Sequence, residues 1–185
     1  MKFHNGCWLL KEGYQSFSPQ QAYEVKKQEY ELRILAPTRY IHKKGDTLDG
    51  VNLTIRITAP MPEMIRVQVV HHKGVRKKEP NFHLNLNPQP LKVTEEGNLL
   101  QIESGKLKLV IHKENWSMSY ESEGRLLTKS LKGDLAYIKT DWKGLAYDVG
   151  KESNAYMRQQ LGLSVGELVY GFGERFTPFV KNGQS

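Results

Sequence analysis

Hydrophobic and polar residues alternate along much of this chain with a period of two. The clearest example is 51–58, where Val51, Leu53, Ile55 and Ile57 fall on one side and polar residues on the other. Because successive side chains of a strand point to opposite faces, this pattern predicts a half-buried β-strand. The same alternation predicts further strands at 30–36, 64–71, 107–112 and 116–120, with weaker versions at 99–103 and 156–161.

Residues that suit chain reversals separate these segments, at 60–62, 96–98, 113–115 and 123–124. No stretch sustains helical spacing between two capping residues. Strands at short intervals without helices predict an all-β chain, folded as an antiparallel β-sandwich of two packed sheets. We expect 1–185 to form one strand-rich domain, in which the Asn- and Pro-rich stretch 73–90 is an exposed connection.

The composition fits a soluble, folded protein, with 38% hydrophobic and 25% charged residues in a chain of 185. The apolar run at the start is too short for a secretory signal, and no later run approaches the roughly 18 apolar residues of a spanning helix. Cys7 is the single cysteine and forms no internal disulfide. We therefore expect no membrane association and a cytoplasmic location.

The formal net charge of +7 would suit an anionic partner. The basic residues are dispersed, however, and the short runs at 26–27, 43–44 and 76–78 stand beside turn-forming or acidic residues, which favours solvated loops. A nucleic-acid groove would interleave basic residues with exposed aromatic ones, and that pattern is not evident. The sequence therefore predicts no nucleic-acid partner.

Two further sets of residues are candidates for binding. His71, His72 and His83 are a poor metal site, because adjacent strand residues point to opposite faces, so we expect exposed histidines and no metal. Aromatic rings can stack on sugars or fill a core. Trp116 shares a strand face with Met118 and Tyr120, which favours the core. Trp142 lies in a loop-like setting and is the candidate for contact with a ligand or partner.

The chain closes with Gly-Glu-Leu-Val-Tyr-Gly-Phe-Gly-Glu-Arg-Phe over 166–176 and Asn-Gly-Gln-Ser over 182–185. A short apolar strand at 166–170 followed by two glycines would deliver Glu174 and Arg175 to a cleft, since glycine permits positive φ or close backbone approach. The alternative is a structural ion pair at a strand end. Spacing alone favours that alternative.

This segment, written G-E-x-V-Y-G-F/L-G-E-R-F-T-x-x-x-x-N-G-Q, resembles a signature of glycoside hydrolase family 31, especially its bacterial α-xylosidase branch. Residues 8–10 and 23–25 also resemble that branch. Phe172 stands where the branch often has Leu, and Ser185 where it often has Thr. Both differences are mild.

The resemblance implies an architecture in which a galactose-mutarotase-like β-sandwich, or supersandwich, precedes a catalytic (β/α)8 barrel. The barrel holds both carboxylates of the retaining mechanism. Only the sandwich fits here, so the chain is expected to be an N-terminal fragment that stops just before a loop reaching the barrel active site. By position, the framework leading to that loop is Gly171, Gly173, Glu174, Arg175, Phe176, Asn182, Gly183 and Gln184. None of them is expected to be catalytic.

The expected function is that of a non-catalytic accessory domain of a retaining α-glycosidase, an α-xylosidase acting on terminal α-xylosides. It would support the barrel, the pocket rim and a homo-oligomer, with an α-linked xylosyl or glucosyl oligosaccharide as the substrate of the full enzyme and no cofactor. The isolated chain should be inactive. The alternative is an autonomous carbohydrate-binding module that uses loop aromatics.

Overall fold

The computed structural model describes residues 4, 9–48, 50–72, 82–140, 155–171, 173, 176 and 178–183. Within these ranges the regular structure is β-strand, apart from one 3₁₀ turn at Lys44–Thr47. The prediction of an all-β chain is therefore confirmed. The strands are β1 (Tyr14–Phe17), β2 (Glu24–Lys27), β3 (Leu32–Pro37), β4 (Asn52–Thr58), β5 (Arg66–Val70), β6 (Lys92–Glu96), β7 (Leu99–Ser104), β8 (Leu107–His112), β9 (Ser117–Ser122), β10 (Arg125–Ser130), β11 (Ala136–Thr140) and β12 (Ala155–Arg158).

The strands form three antiparallel sheets rather than the two predicted. Their orders are β2-β3-β4-β5, β10-β9-β8-β7-β6 and β1-β11-β12. The first two are meanders, in which each strand pairs with its neighbour along the chain. The third joins β1 to β11, which alternation within one segment cannot reveal because the partners are far apart in sequence.

The core lies between the four-stranded and five-stranded sheets. Ile34 of β3 and Ile55 of β4 are register partners, as are Ile102 of β7 and Leu109 of β8, and all four are fully buried. Leu135, which precedes β11, belongs to the same apolar cluster. Burial of each such side chain contributes roughly 1.5–3 kcal/mol, so this shared core holds the sandwich together.

Every strand predicted from alternation, from 30–36 to 156–161, is present; 107–112 has the predicted bounds and the others have shifted ends. The apolar face of 51–58 is confirmed, since Leu53, Ile55 and Ile57 are fully buried. Trp116 and Met118 are buried in the core and Tyr120 packs against it, as predicted. The alternation did not reveal β1, β2, β6, β10 and β11.

Turns connect the strands of the five-stranded meander at the predicted places 96–98, 113–115 and 123–124, and also at 105–106, which was not predicted. Glu123 and Gly124 link β9 to β10 with φ of +51° and +78°. Positive φ at both central residues fits the twist of the flanking strands, and glycine adopts it without steric cost. Gly97 and Asn98 link β6 to β7, and of these two only Gly97 has a positive φ, of +56°.

The connection between β5 and β6 is only partly described, because 73–81 lies outside the described residues. Residues 82–90 are mostly exposed. They form backbone hydrogen bonds with the residues that follow β4, since Asn87 N donates to Pro60 O and Gln89 N donates to Ala59 O. Strands before and after this connection share one core. The extent of the domain as 1–185 stays a prediction.

The basic run at Lys26–Lys27 was predicted in a loop, and that is wrong. Both lysines lie on β2, an edge strand, with their side chains exposed. Charged residues suit an edge strand because they discourage pairing with another sheet. Lys44 begins the exposed 3₁₀ turn, and the run at 76–78 lies outside the described residues. None of the helical structure in the described part of the chain is long and apolar enough to cross a membrane.

Candidate functional site

The described residues of the C-terminal segment 161–183 contain no strand, so the predicted strand at 166–170 is wrong. Leu168 and Tyr170 are half exposed. A short apolar run becomes a strand when a neighbouring strand pairs with it. Here Val169 O instead accepts from Lys181 N at 2.7 Å, across a loop of the segment itself.

Asn182 closes this loop through its side chain. Its Oδ1 accepts from Val169 N at 2.8 Å, and its Nδ2 donates to Glu167 O at 3.0 Å. A side-chain amide suits this position because it offers an acceptor and donors in one plane. Asn182 thus fixes 167–169 against 181–182, and its role as framework leading to an active-site loop stays a prediction.

The glycines of the segment set its backbone direction. Gly171, Gly173 and Gly183 have φ of +100°, +74° and +74°. Apart from chain neighbours, no atom of the described residues lies within 4 Å of a Cβ built on any of them, so their positive φ is what favours glycine. Of the two roles the sequence left open for Gly171 and Gly173, positive φ is confirmed.

The segment presents apolar side chains to solvent. Tyr170 and Phe179 pack against each other with ring centroids 5.1 Å apart, yet both remain exposed. The other apolar side chains of the segment that are half exposed or more are Leu161, Leu163, Val165, Leu168 and Phe176. Such a concentration of exposed apolar groups marks a contact surface, since most monomeric proteins avoid it. We call these seven residues the apolar segment.

Several residues singled out from the sequence lie outside the described residues. They are Glu174, Arg175 and Gln184 of the signature, and Trp142. Whether Glu174 and Arg175 form an ion pair therefore stays untested. The described framework residues are Gly171, Gly173, Phe176, Asn182 and Gly183.

The described carboxylates with shifted pKa values all have lowered ones, namely Glu31, Asp46, Glu95 and Glu103. Glu31 is the least exposed of the ion-paired carboxylates. Burial raises its pKa, but the hydrogen bonds from Arg33 and Arg56 outweigh burial and lower it. A general acid of a glycosidase needs a raised pKa. Glu31, Glu95 and Glu103 are thus suited to structural ion pairs, whereas backbone hydrogen bonds from His42 and Lys43 lower the pKa of Asp46.

His71, His72 and His83 are exposed, as predicted, whereas His4 is buried. His71 and His72 follow the end of β5, so strict alternation does not apply and both border one cavity beside Arg56. The His71 ring packs 4.6 Å from that of Tyr137, and its Nδ1 lies 3.0 Å from Asn52 O. Among the described residues no three His, Cys, Asp or Glu side chains are grouped to hold a metal ion.

A second cavity, of about 220 Å³, lies beside the C-terminal end of β3. The sequence did not predict it. Its lining combines four apolar residues with a tyrosine and several polar groups. These come from separate segments, so no local motif signals them. They are Leu35, Pro37, Ile41, Val51, Tyr23, Arg39, Asp46, Thr47, Gly50 and Asn52. We call this cavity the Tyr23 pocket.

Fold and segment together define an antiparallel β-sandwich that displays an apolar, glycine-rich loop. The chain belongs to the family described as the glycosyl hydrolase 31 N-terminal galactose mutarotase-like domain, whose model matches residues 54–185. The family suggested by the terminal signature is thereby confirmed.

Similar proteins are α-xylosidases. The chain is 31% identical over 185 residues to α-xylosidase XylQ of Lactiplantibacillus pentosus, which covers 100% of this chain and 23% of that protein. It is 33% identical over 199 residues to an α-xylosidase of Emericella nidulans, covering 100% of this chain and 25% of that protein. The chain thus spans about a quarter of these relatives.

Solved structures support the fold. The cycloalternan-forming enzyme of Listeria monocytogenes matches with a TM-score of 0.65 at 15% identity, over 92% of this chain and 14% of that one. The dextranase FjDex31A of Flavobacterium johnsoniae matches with a TM-score of 0.55 at 15% identity, over 91% and 18%. The galactose-mutarotase-like β-sandwich is therefore the fold of this chain.

Proposed function

We propose that this chain is the non-catalytic N-terminal domain of a longer retaining α-glycosidase of the α-xylosidase type. In that enzyme it packs against the (β/α)8 barrel of the same polypeptide and helps form the rim of the substrate pocket. The substrate is an α-linked xylosyl or glucosyl oligosaccharide. The barrel supplies both catalytic carboxylates, and the sandwich supplies none.

One observation carries this proposal. The chain matches two α-xylosidases along its entire length while spanning only 23% and 25% of theirs. The remaining three quarters of such a protein has ample length for a barrel, which typically needs about 250 residues.

The apolar segment is the surface we assign to the barrel contact. Phe176 and Val165 are fully exposed, and Phe179 is nearly so. Exposed aromatic side chains contribute strongly to a packed interface, because they bury large areas with few rotatable bonds. The loop closed by Asn182 would hold this surface in one conformation before docking, which limits the entropy lost on contact.

Hydrolysis of p-nitrophenyl α-xyloside tests the division of labour. We expect turnover by the longer parent polypeptide and none by the 185-residue chain at the same molar concentration. p-Nitrophenyl α-glucoside, assayed in parallel on the parent, reports which sugar is preferred. Release of p-nitrophenol by the chain alone, above a heat-denatured control, would refute the non-catalytic role.

The oligomer and the location of the full enzyme belong to the same proposal. We infer that the parent is a cytoplasmic homo-oligomer in which the sandwich contributes to subunit contacts. Sedimentation velocity of the parent and of the chain would measure this contribution. A parent that is monomeric at every accessible concentration would remove this part of the proposal.

A further inference from the structure

We propose that the Tyr23 pocket binds one neutral pyranose unit of a carbohydrate. This inference goes beyond the proposed function, because an accessory domain needs no sugar site of its own. Among the described residues that line the pocket, Tyr23 is the one aromatic residue. Its size, its lining and its balance of charge support the proposal independently.

Size comes first. The cavity volume of about 220 Å³ lies below the range of roughly 300–1,000 Å³ typical for drug-sized ligands. A single sugar ring is correspondingly smaller than such ligands. The pocket is also concave and open to solvent, so a terminal sugar unit could enter while the rest of a glycan stays outside.

The apolar part of the lining suits the C–H face of a sugar ring. The Tyr23 side chain borders the cavity and is half exposed, and Leu35, Ile41 and Val51 contribute further apolar surface. An aromatic ring packs well against the C–H groups of a pyranose. No hydrogen bond or ring contact occupies the Tyr23 side chain within the described residues, so its surface is available.

The polar part offers both donors and acceptors. Asn52 Oδ1 is buried and has no hydrogen-bond partner within the described part of the chain. Asp46 Oδ2 accepts from His42 N at 2.9 Å and Lys43 N at 3.0 Å, which orients the carboxylate. Arg39 supplies guanidinium donors. Sugar hydroxyls both donate and accept, so they match such a mixed set.

The charge balance favours a neutral ligand. Arg39 and Asp46 carry opposite charges, so the lining offers no net attraction to an anion or a cation. The cavity beside β5 provides the contrast, because it is lined by Arg33, Arg56 and two histidines. A phosphate or carboxylate ligand would prefer that basic cavity.

Gly50 leaves room for the guanidinium group of Arg39. A Cβ at this residue would lie 3.0 Å from Arg39 Nε and 3.2 Å from Arg39 Nη2. Such contacts are too close, so the guanidinium would have to move. Absence of a side chain at Gly50 therefore lets Arg39 lie at the pocket wall, and Gly50→Ala becomes a test of that placement.

The experiment is a titration of the ¹⁵N-labelled 185-residue chain with D-xylose and D-glucose, followed by ¹H–¹⁵N NMR. We expect saturable shifts at Arg39, Asp46 and Asn52, with a dissociation constant in the millimolar range. Tyr23→Ala should weaken binding about fivefold, because the stacking surface is lost. Tyr23→Phe, which keeps the ring, should stay within about twofold of the wild type. Gly50→Ala should weaken binding through Arg39.

Tyr30→Ala is the matched control, because Tyr30 is 48% exposed against 52% for Tyr23 and lies outside the pocket. It should leave binding unchanged. The proposal is overturned if neither sugar gives saturable shifts, if Tyr23→Ala and Tyr30→Ala behave alike, or if inorganic phosphate displaces the sugar. Any of these results leaves hydrolysis by the parent enzyme untouched, so the two proposals fail separately.

Discussion

Asn182 belongs to the signature that indicated the family, and the structure shows which contacts its side chain makes. Its amide joins Val169 and Glu167, thirteen and fifteen residues earlier, with one accepted and one donated hydrogen bond. The signature identified Asn182 as framework without saying what it holds. The structure adds that it closes the loop displaying the apolar segment.

Replacing Asn182 should open that loop. In Asn182→Ala, Val169 N–H loses its acceptor, at a cost of about 1 kcal/mol, so its amide hydrogen exchange should accelerate about fivefold. Asn182→Asp keeps an acceptor for Val169 and should accelerate exchange less. An unchanged exchange rate at Val169 in Asn182→Ala would contradict the bridging role.

Substitution of a core residue should cost much more unfolding free energy than substitution of a surface residue of similar chemistry. Ile102→Ala removes a fully buried side chain between the sheets and should cost about 2–5 kcal/mol of unfolding free energy, because a cavity remains. Leu126→Ala on β10 alters a half-exposed side chain and should change stability by less than about 0.5 kcal/mol. Urea denaturation followed by tryptophan fluorescence measures both. Equal effects would argue against the assigned core.

At the element scale, an ion-pair network joins the edges of the two main sheets. Glu95 of β6 accepts from Lys27 of β2 at 2.9 Å and from Lys113, in the turn after β8, at 2.5 Å. Hydrogen bonds from Lys113 and Lys27 lower the pKa of Glu95 from 4.5 to about 2. The network therefore clamps β2 to β6 at any pH at which Glu95 is ionised.

This clamp predicts a defined acid dependence. A carboxylate with a lowered folded-state pKa stabilises the protein above its ordinary pKa of 4.5, and the contribution is lost as the pH falls towards 2. Glu95 is more than a third exposed, so solvent screening limits its contribution to about 1 kcal/mol. Glu95→Gln should thus be less stable than the wild type at pH 7, and the difference should vanish near pH 2.

Glu123→Gln is the control for that measurement. Glu123 pairs with Lys106 at 2.7 Å, but both side chains are about two-thirds exposed. Its replacement should have no measurable effect at any pH. Thermal unfolding between pH 2 and pH 7 would compare the variants. A stability difference for Glu95→Gln that persists at pH 2 would contradict the assignment.

Element by element, the sequence was informative where strands are buried on one face. Strands β3, β4, β7 and β8 place a regular set of apolar residues in the core, so alternation revealed them. Four of the strands it did not reveal, β1, β2, β6 and β10, lie at sheet edges, where burial is slight and polar residues are tolerated. In β11 the buried positions are Ala136, Ile138 and Thr140. Alanine is small and threonine is polar, so only Ile138 indicates a buried strand face.

The two candidate sites also differ in whether the sequence could predict them. The loop closed by Asn182 was found because a contiguous motif marks it. The Tyr23 pocket was not, because Tyr23, Arg39 and Asn52 meet only after β2, β3 and β4 have paired. A site assembled by sheet register leaves no local spacing in the sequence.

At the scale of the whole molecule, the described part of the sandwich has a buried core, whereas its apolar segment is uncovered. Its four-stranded and five-stranded sheets share one buried cluster, whereas Val165, Phe176 and Phe179 face solvent. Because the chain spans about a quarter of the α-xylosidases it matches, we propose that another part of a longer polypeptide covers this surface. Our central claim is that this part is the barrel of the same polypeptide.

The most direct test mixes this chain with the separately produced remainder of the longer polypeptide. Sedimentation velocity should detect a one-to-one complex. The double variant Phe176→Ser and Phe179→Ser should weaken it at least about tenfold, because exposed aromatic anchors dominate such contacts, whereas Leu126→Ser should not. If two folded fragments fail to associate, or if the double variant binds as tightly as the wild type, the account is contradicted.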